Sequence, residues 1–576
     1  MKEAITTIIK KALGDEVAAS VIELSVPDES AFGHYSTNVA MRLAKEQGRK
    51  PMELAGEFAA AITAKAPAGF FARVEAVTPG FINFWLSDAT LREEFAKVAR
   101  DSKFGWSSAR AGKTTLVEFT DPNPFKEFHI GHLMSNAIGE SVSRLIESQG
   151  AKVNRLSYGG DIGLHVAKAM FGVLQKKDEI LAVKQKSERE QLSFWAAAYV
   201  AGSSDYDDNE EAKKKIDDLN KVLFDGSDAS LKELYTWGRT VSIDAFQQIF
   251  KRLDTKFVRN YWESEVVGFG MKAVEDGLAK NILERSEGAI VFKGEPYGLH
   301  TRVFVNSRGV PTYEAKELGI TEKKHEDFVF DTSIVITGNE QNDYFKVLLK
   351  VIDLLIPELA GKTTHISHGM LRFSSGKMSS RKGNVIIAEA LIDQAKAALA
   401  EKVNERSGLD DAERATVTEA IAVGAIKYSI LKQNPGQDII FDFEKSLSFE
   451  GDSGPYLQYA YARLRSILRK ADDEFGDAGA PADFAKLDSE VEFALMRKIF
   501  EFPDVVARAA EALSPNTVAT YLHKLAVAAN KFYETTPILK DENESRRGER
   551  LALTEVAART LANGLALLGI KAPEKI

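Results

Sequence analysis

Residues 114–158 read TTLVEFTDPNPFKEFHIGHLMSNAIGESVSRLIESQGAKVNRLSY, and their patterning decides the fold. The opening TTLVEF is a short apolar run rich in β-branched residues, which predicts a strand. A Pro/Asn-rich turn follows at 121–126. Over 131–149, Met134, Ile138, Val142 and Leu145 recur at helical spacing, and Gly150 stands where a glycine closes a helix. Residues 152–158 predict a second strand. Strand, helix and strand in succession form a βαβ unit, which implies a parallel sheet with ligands at the carboxyl ends of its strands.

The turn-to-helix junction of this unit carries His129-Ile130-Gly131-His132. A helix N-terminus offers free N–H groups and the positive end of a dipole, both suited to phosphate. Gly131 leaves room for a base or phosphate to approach, and His129 and His132, one turn apart, can donate to phosphate oxygens. Taken alone, the four residues fit a capped helix with incidental histidines equally well. A metal site fits poorly, because the acid of an HExxH pattern is missing. A second cluster, GKMSSRKG at 376–383, sets cations and hydroxyls between two glycines. Such a loop can close on a polyphosphate; by itself it also fits a basic surface loop. GKTT at 112–115 and 361–364 lacks the earlier glycine of a P-loop.

Working outward, residues 1–105 read as an α+β unit. Ile5, Ile8, Ile9 and Leu13 share a helix face, 37–45 predict a second helix, and 73–77 and 81–86 predict strands around Pro79-Gly80. Residues 101–112 suit a linker. The highly charged stretch from about 175 to 260 predicts solvated inserted helices, and 331–337 and 364–368 predict later strands of the sheet. Beyond about residue 390 nearly everything has helical periodicity.

The chain has 576 residues, 75 Lys+Arg and 84 Asp+Glu, for a formal charge of −9. At roughly 150 residues per domain, about four domains are expected. A 44% hydrophobic and 28% charged composition suits a soluble globular protein. The absence of cysteine excludes disulfides, Cys-ligated zinc, iron–sulfur clusters and thiol nucleophiles. No apolar run approaches the roughly 20 residues of a membrane helix, and MKEAITTIIKKALGDE lacks a secretory apolar core, so a cytoplasmic location is expected. The acidic balance argues mildly against nonspecific nucleic-acid binding and leaves room for a local basic surface.

HIGH early and KMSSR late, on the two halves of a parallel α/β unit, together resemble the class I aminoacyl-tRNA synthetases. FGHYSTNVAMRLAK (32–45), PGFINFWLS (79–87), EFTDPNPFKEFHIGHL (118–133), YGGDIG (158–163), YEAKELG (313–319), TGNEQNDYFK (337–346) and SGPYLQYAYARLRSIL (453–468) resemble the arginyl branch of that family, in order and spacing over essentially the whole chain. The resemblance implies an α/β protein with a Rossmann-like parallel-sheet catalytic domain at 109–390, carrying an insertion at about 175–265. It further implies an α+β tRNA-elbow-binding domain at 1–108, a helical linker at 391–445 and an all-α anticodon-binding domain at 446–576. The implied reaction joins arginine to tRNA(Arg) through an adenylate, using ATP with Mg2+ and no zinc, in a monomer that needs no membrane.

By the same resemblance, His129, His132, Lys126 and Lys377 would be catalytic, and Gly131, Met378, Ser379, Ser380 and Arg381 would join His129, His132 and Lys377 around ATP. Ser380 replaces the second lysine of the usual KMSKS, and Lys126 fits the place where arginyl enzymes carry a lysine ahead of HIGH. Asp121, Asn123, His132, Tyr313, Glu317 and Gln341 would hold arginine. Asp121 reads equally well as an Asx turn residue, and Glu317 is one methylene longer than the family's usual aspartate. Phe81 and Asn83, on alternate strand positions and so on one side, would take a base at the tRNA elbow. In the helix starting near Ser453 and Pro455, Leu457, Tyr461, Leu464 and Leu468 form a core stripe. Tyr456, Tyr459, Arg463 and Lys470 lie about 140° away as an exposed aromatic and basic stripe, and the first three would contact the anticodon. The competing readings are a synthetase for another amino acid, a noncatalytic tRNA-binding paralogue and a small-molecule adenylyltransferase.

Overall fold

The computed structural model describes the chain except residues 15–16, 19–20, 28, 226–227, 374–385, 405–408 and 477–482. Near the N-terminus, β1 (Leu24–Ser25), β2 (Tyr35–Thr37), β3 (Phe71–Val77) and β4 (Phe81–Leu86) form an antiparallel sheet in the order β1-β2-β4-β3. Helices Lys2–Leu13, Val39–Gln47 and Pro51–Lys65 pack with it through fully buried Ile5, Ile9, Val39, Ile82 and Phe84. The helix expected over 37–45 begins two residues later because Thr37 closes β2, paired with Ile82.

The central sheet contains β5 (Thr114–Glu118), β6 (Lys152–Gly159) and β7 (Arg259–Trp262). A small antiparallel sheet, β8 (Glu284–Ser286), β9 (Ala289–Phe292) and β10 (Arg302–Val305), intervenes before β11 (Thr332–Gly338) and β12 (Thr363–His368) complete the central one. All its pairings are parallel, in the order β12-β11-β5-β6-β7. The chain leaves β5 outward through β6 and β7, then returns to the other side as β11 and β12. Strand direction of travel therefore reverses between β5 and β11, and a crevice opens at their carboxyl ends. Between β6 and β7 lie helices Leu164–Leu174, Ile180–Val183, Glu188–Asp208, Glu210–Asp225 and Ala229–Arg252, the first of them ahead of the span read as inserted. β7 lies within the span read as inserted, yet pairs with β6 as a strand of the sheet.

After β13 (Leu371–Phe373) the described chain is helical, save β14 (Ile439–Phe441), which pairs in parallel with β13. The last helix, Glu544–Leu567, ends against the middle of Ile130–Ser148. There Ser141 Oγ donates to Leu567 O at 2.9 Å and Arg144 Nη1 to Ala566 O at 3.0 Å. The N-terminal unit docks on the same helical region: Arg559 Nη2 donates to Val98 O at 2.8 Å, and Phe95 meets Phe484 edge-on at 4.8 Å. No helix among the described residues is long and apolar enough to cross a membrane.

Candidate active site

β5 ends in Glu118, and the turn after it is strained: Thr120, Asp121 and Phe125 have φ of 82°, 48° and 69°. Two side chains pin that turn to the end of β6. Asp121 Oδ1 accepts the Tyr158 N–H, and Asn123 Oδ1 accepts the Gly160 N–H, each at 2.8 Å. A Cβ on Gly160 would lie 2.7 Å from that Asn123 oxygen, so any larger residue there would push the Asn123 side chain aside. Asp121 Oδ1 thus binds a neighbouring strand rather than closing an Asx turn, in which it would accept the N–H two residues on.

His129 caps helix Ile130–Ser148. Its Nδ1 accepts the Gly131 N–H at 3.1 Å, while His132 Nδ1 accepts the His129 N–H at 3.2 Å. A ring nitrogen that accepts leaves the imidazole proton on Nε2, so each neutral ring keeps an Nε2–H donor. The rings stack 3.6 Å apart. Burial, then the Lys126 charge, pulls His129 down to about 4. Burial, then His129, holds His132 well below its ordinary value. Gly131 gives the His129 ring its place, since a Cβ would lie 3.0 Å from Cε1.

The chain beyond 374–385 returns to this helix start: Ile130 N donates to Ile386 O at 2.9 Å and Ala388 N to Phe128 O at 3.0 Å. Lys377, Met378, Ser379, Ser380 and Arg381 lie outside the described residues. Lys126 does not line the cavity. Its Nζ sits 4.5 Å from the Tyr199 ring of the inserted helix Glu188–Asp208.

The crevice is a cavity of about 550 Å3 that brings together Asp121, Asn123, His129, Gly131, His132, Tyr313, Glu317 and Gln341. Tyr313 opens helix Tyr313–Asp327 at the mouth, 64% exposed, with its ring 4.3 Å from Lys316 Nζ. Lys316 in turn pairs with buried Glu263 at 2.6 Å. Glu317 lies one turn further in. Sequence reasoning passed over Glu118, which is 2% exposed and meets Lys324 Nζ at 2.5 Å. Glu118, Asp121 and Glu317 thus lie together in one buried region, with the ammoniums of Lys324 and Lys316 nearby. Burial, then Glu118, pushes Glu317 up to about 8 and holds Asp121 well above its ordinary value. Such a cluster favours a further cation with several donors.

The two outlying groups lie apart from this crevice. Asn83 is 3% exposed and its Oδ1 accepts Ser36 Oγ–H at 2.6 Å, while Phe81 is half-buried. Tyr456, Tyr459 and Arg463, read as exposed, are half-buried and line one cleft. The helix carrying Asn530 packs against theirs, so Tyr456 Oη accepts Asn530 Nδ2–H at 3.0 Å and the Arg463 guanidinium lies 4.9 Å from the Tyr459 ring.

This strand order, with a histidine-capped helix at its switch point, is the architecture of a class I aminoacyl-tRNA synthetase. Residues 96–443 match the family "tRNA synthetases class I (R), catalytic domain", 1–86 match "Arginyl tRNA synthetase N terminal domain" and 457–576 match "DALR anticodon binding domain". The chain belongs to the arginyl-tRNA synthetase family. It is 32% identical over 556 residues to an arginine–tRNA ligase of Fusobacterium nucleatum, covering 95% of this chain and 94% of the relative. With that of Clostridium perfringens it shares 31% identity, covering 96% of each. The arginyl-tRNA synthetase structure from Thermus thermophilus superposes with a TM-score of 0.84 at 26% identity over 100% of both chains.

Proposed function

We propose that this protein catalyses arginine–tRNA ligation. Arginine carboxylate attacks the α-phosphorus of ATP to give arginyl-adenylate and pyrophosphate; the terminal adenosine 2′-OH of tRNA(Arg) then takes the arginyl group and AMP leaves. The observation that carries this reading is the carboxylate cluster of Glu118, Asp121 and Glu317 beside the His129–His132 helix start. A guanidinium is planar, permanently charged and rich in donors, which is what three crowded carboxylates need. Both steps place negative charge on oxygens, so catalysis rests on positioning and on donors: the Nε2–H groups of His129 and His132, the helix start, and the cations Lys377 and Arg381, with Lys126 acting through its charge from beside the two histidines. Gly131, Met378, Ser379 and Ser380 complete the ATP site. Asn123, Gln341 and Tyr313 orient arginine. Mg2+ would come bound to the triphosphate and screen its charge; the described residues offer no cluster of three His, Cys, Asp or Glu to hold it.

We assign residues 1–108, with Phe81 and Asn83, to the tRNA elbow. Residues 109–390, with their insertion, take the chemistry, 391–445 the stem, and 446–576 the anticodon. The protein acts as a cytoplasmic monomer. ATP–pyrophosphate exchange with each amino acid, with and without tRNA, tests the reading. Exchange is expected with arginine alone among the amino acids, and only when tRNA(Arg) is present. Exchange with another amino acid, or none at all, would overturn it.

The Tyr456–Tyr459–Arg463 cleft supports stacking of unpaired anticodon bases. Tyr459→Ala is expected to weaken tRNA binding by about 1–3 kcal/mol, the worth of one base–aromatic stack. Equilibrium binding of tRNA(Arg) checks this, and unchanged affinity would return Tyr459 to ordinary packing.

A further inference from the structure

Two phenol hydroxyls of the cavity stand without partners. Tyr158 lies near the end of β6 and Tyr344 in the first turn of helix Asn342–Leu355. Each residue is 9% exposed, each lines the cavity that holds Glu317, and neither Oη has a hydrogen-bond partner among the described residues. Other buried tyrosines are satisfied: Tyr428 Oη donates to Asp452 at 2.5 Å and Tyr521 Oη to Lys498 O at 3.0 Å. A hydroxyl taken out of water and left unpaired destabilises the fold. Two of them lining one cavity point to a ligand that completes them. Burial, then Glu317, raises both phenols, and Tyr344 is among the groups that raise Tyr158, so the two lie in one electrostatic neighbourhood and keep their protons.

We propose that Tyr158 and Tyr344 are binding and specificity-determining residues for the guanidinium of arginine, their oxygens accepting N–H groups while Glu317 balances the charge. This rests on the arginine–tRNA ligase reading. Glu118 already meets Lys324, so it is not wholly available to the substrate head. A guanidinium spreads five donors over a plane and needs acceptors beyond one carboxylate; a phenol oxygen supplies them without adding a fourth negative charge to the cluster. An ammonium concentrates three donors at a point, so lysine and ornithine leave phenols unpaired. Desolvated polar groups left unpaired by the wrong substrate are a strong source of discrimination.

The test uses Tyr158→Phe, Tyr344→Phe and the double variant in the full chain. Each removes one hydroxyl and little volume. Arginine KM is expected to rise about five- to thirtyfold for each, with ATP KM, tRNA affinity and kcat at saturation within about threefold. Without ligand, the melting temperature is expected to stay level or rise, because an unpaired buried hydroxyl is gone. A hydroxyl with a merely structural role predicts the reverse, a lower melting temperature and an unchanged arginine KM, and that result overturns the proposal. Unchanged arginine KM in both Phe variants, with wild-type arginine-dependent exchange intact, overturns the proposal alone. No arginine-dependent exchange in the wild type, with tRNA(Arg) present, overturns the ligase reading and the proposal with it.

Discussion

Glu317→Gln is expected to raise the arginine KM by about a hundredfold while the ATP KM stays within about twofold. The change keeps the size and most of the hydrogen-bonding capacity of the side chain and removes its charge. Breaking one partner of a buried ion pair costs about 3–5 kcal/mol, and each 1.4 kcal/mol is tenfold. The lower part of that range applies because Glu118 and Asp121 remain to face the guanidinium. A pH signature separates this from a loss of shape. Burial and Glu118 push Glu317 up to about 8, so the free protein carries it largely protonated at neutral pH. A bound guanidinium needs the carboxylate, so binding releases a proton. Affinity therefore strengthens as pH rises, and arginine KM should fall from about pH 6 to about 8 and level off above. Glutamine cannot titrate, and the variant's KM should be flat over that window. Steady-state kinetics from about pH 6 to 9 decide the matter. A slope that persists in Glu317→Gln would assign the titration to another group, with Asp121 the first alternative.

How legible this site was in the sequence depended on the range of the signal. β5, helix Ile130–Ser148 and β6 could be read because strand and helix periodicities alternate cleanly within one short stretch. The capping histidines could be placed because position in that unit fixes them. Tyr313 and Glu317 could be paired because helical spacing puts them on one face. Glu118 could not be found that way. It is the last residue of an apolar strand, where an acid ordinarily faces solvent, and what makes it special is Lys324, supplied by a remote helix. Tyr158 and Tyr344 were invisible for the same reason: an unpaired hydroxyl is a property of the packed cavity. Other readings shifted once packing was known. Asn83 is enclosed and already bound to Ser36, and Lys126 rests on Tyr199 of a helix more than one element away. β7 was absorbed into the insertion because RNYW is short and sits beside charged helices, so only its pairing with β6 reveals it.

His132→Ala is expected to lower the rate of adenylate formation by about a hundred- to a thousandfold, the usual cost of losing one donor aimed at developing negative charge. Affinity for tRNA(Arg) should stay within about twofold, because the Tyr456–Tyr459–Arg463 cleft proposed for the anticodon lies on another part of the fold. The side chain has two jobs that the structure ties together. Its Nδ1 accepts the His129 N–H at 3.2 Å, and that bond fixes the proton on Nε2. Alanine removes both the cap and the donor. His132→Gln separates them, since glutamine at this helical position can accept the same N–H in a capping box while its amide cannot hold the ring's place. If capping were the whole contribution, the glutamine variant would recover nearly full activity; a deficit close to that of alanine assigns the loss to the Nε2–H donor. Both imidazoles are held well below their ordinary value by burial and by Lys126, His132 also by His129, so they stay neutral across the physiological range. At saturating arginine, where Glu317 is already ionised, kcat should therefore show no limb near pH 6.5. A histidine limb there would mean that an imidazolium, rather than a neutral ring donating through Nε2, meets the phosphate. Equal losses of tRNA affinity and adenylate formation in His132→Ala would show that the residue supports the fold at large instead of the reacting phosphorus.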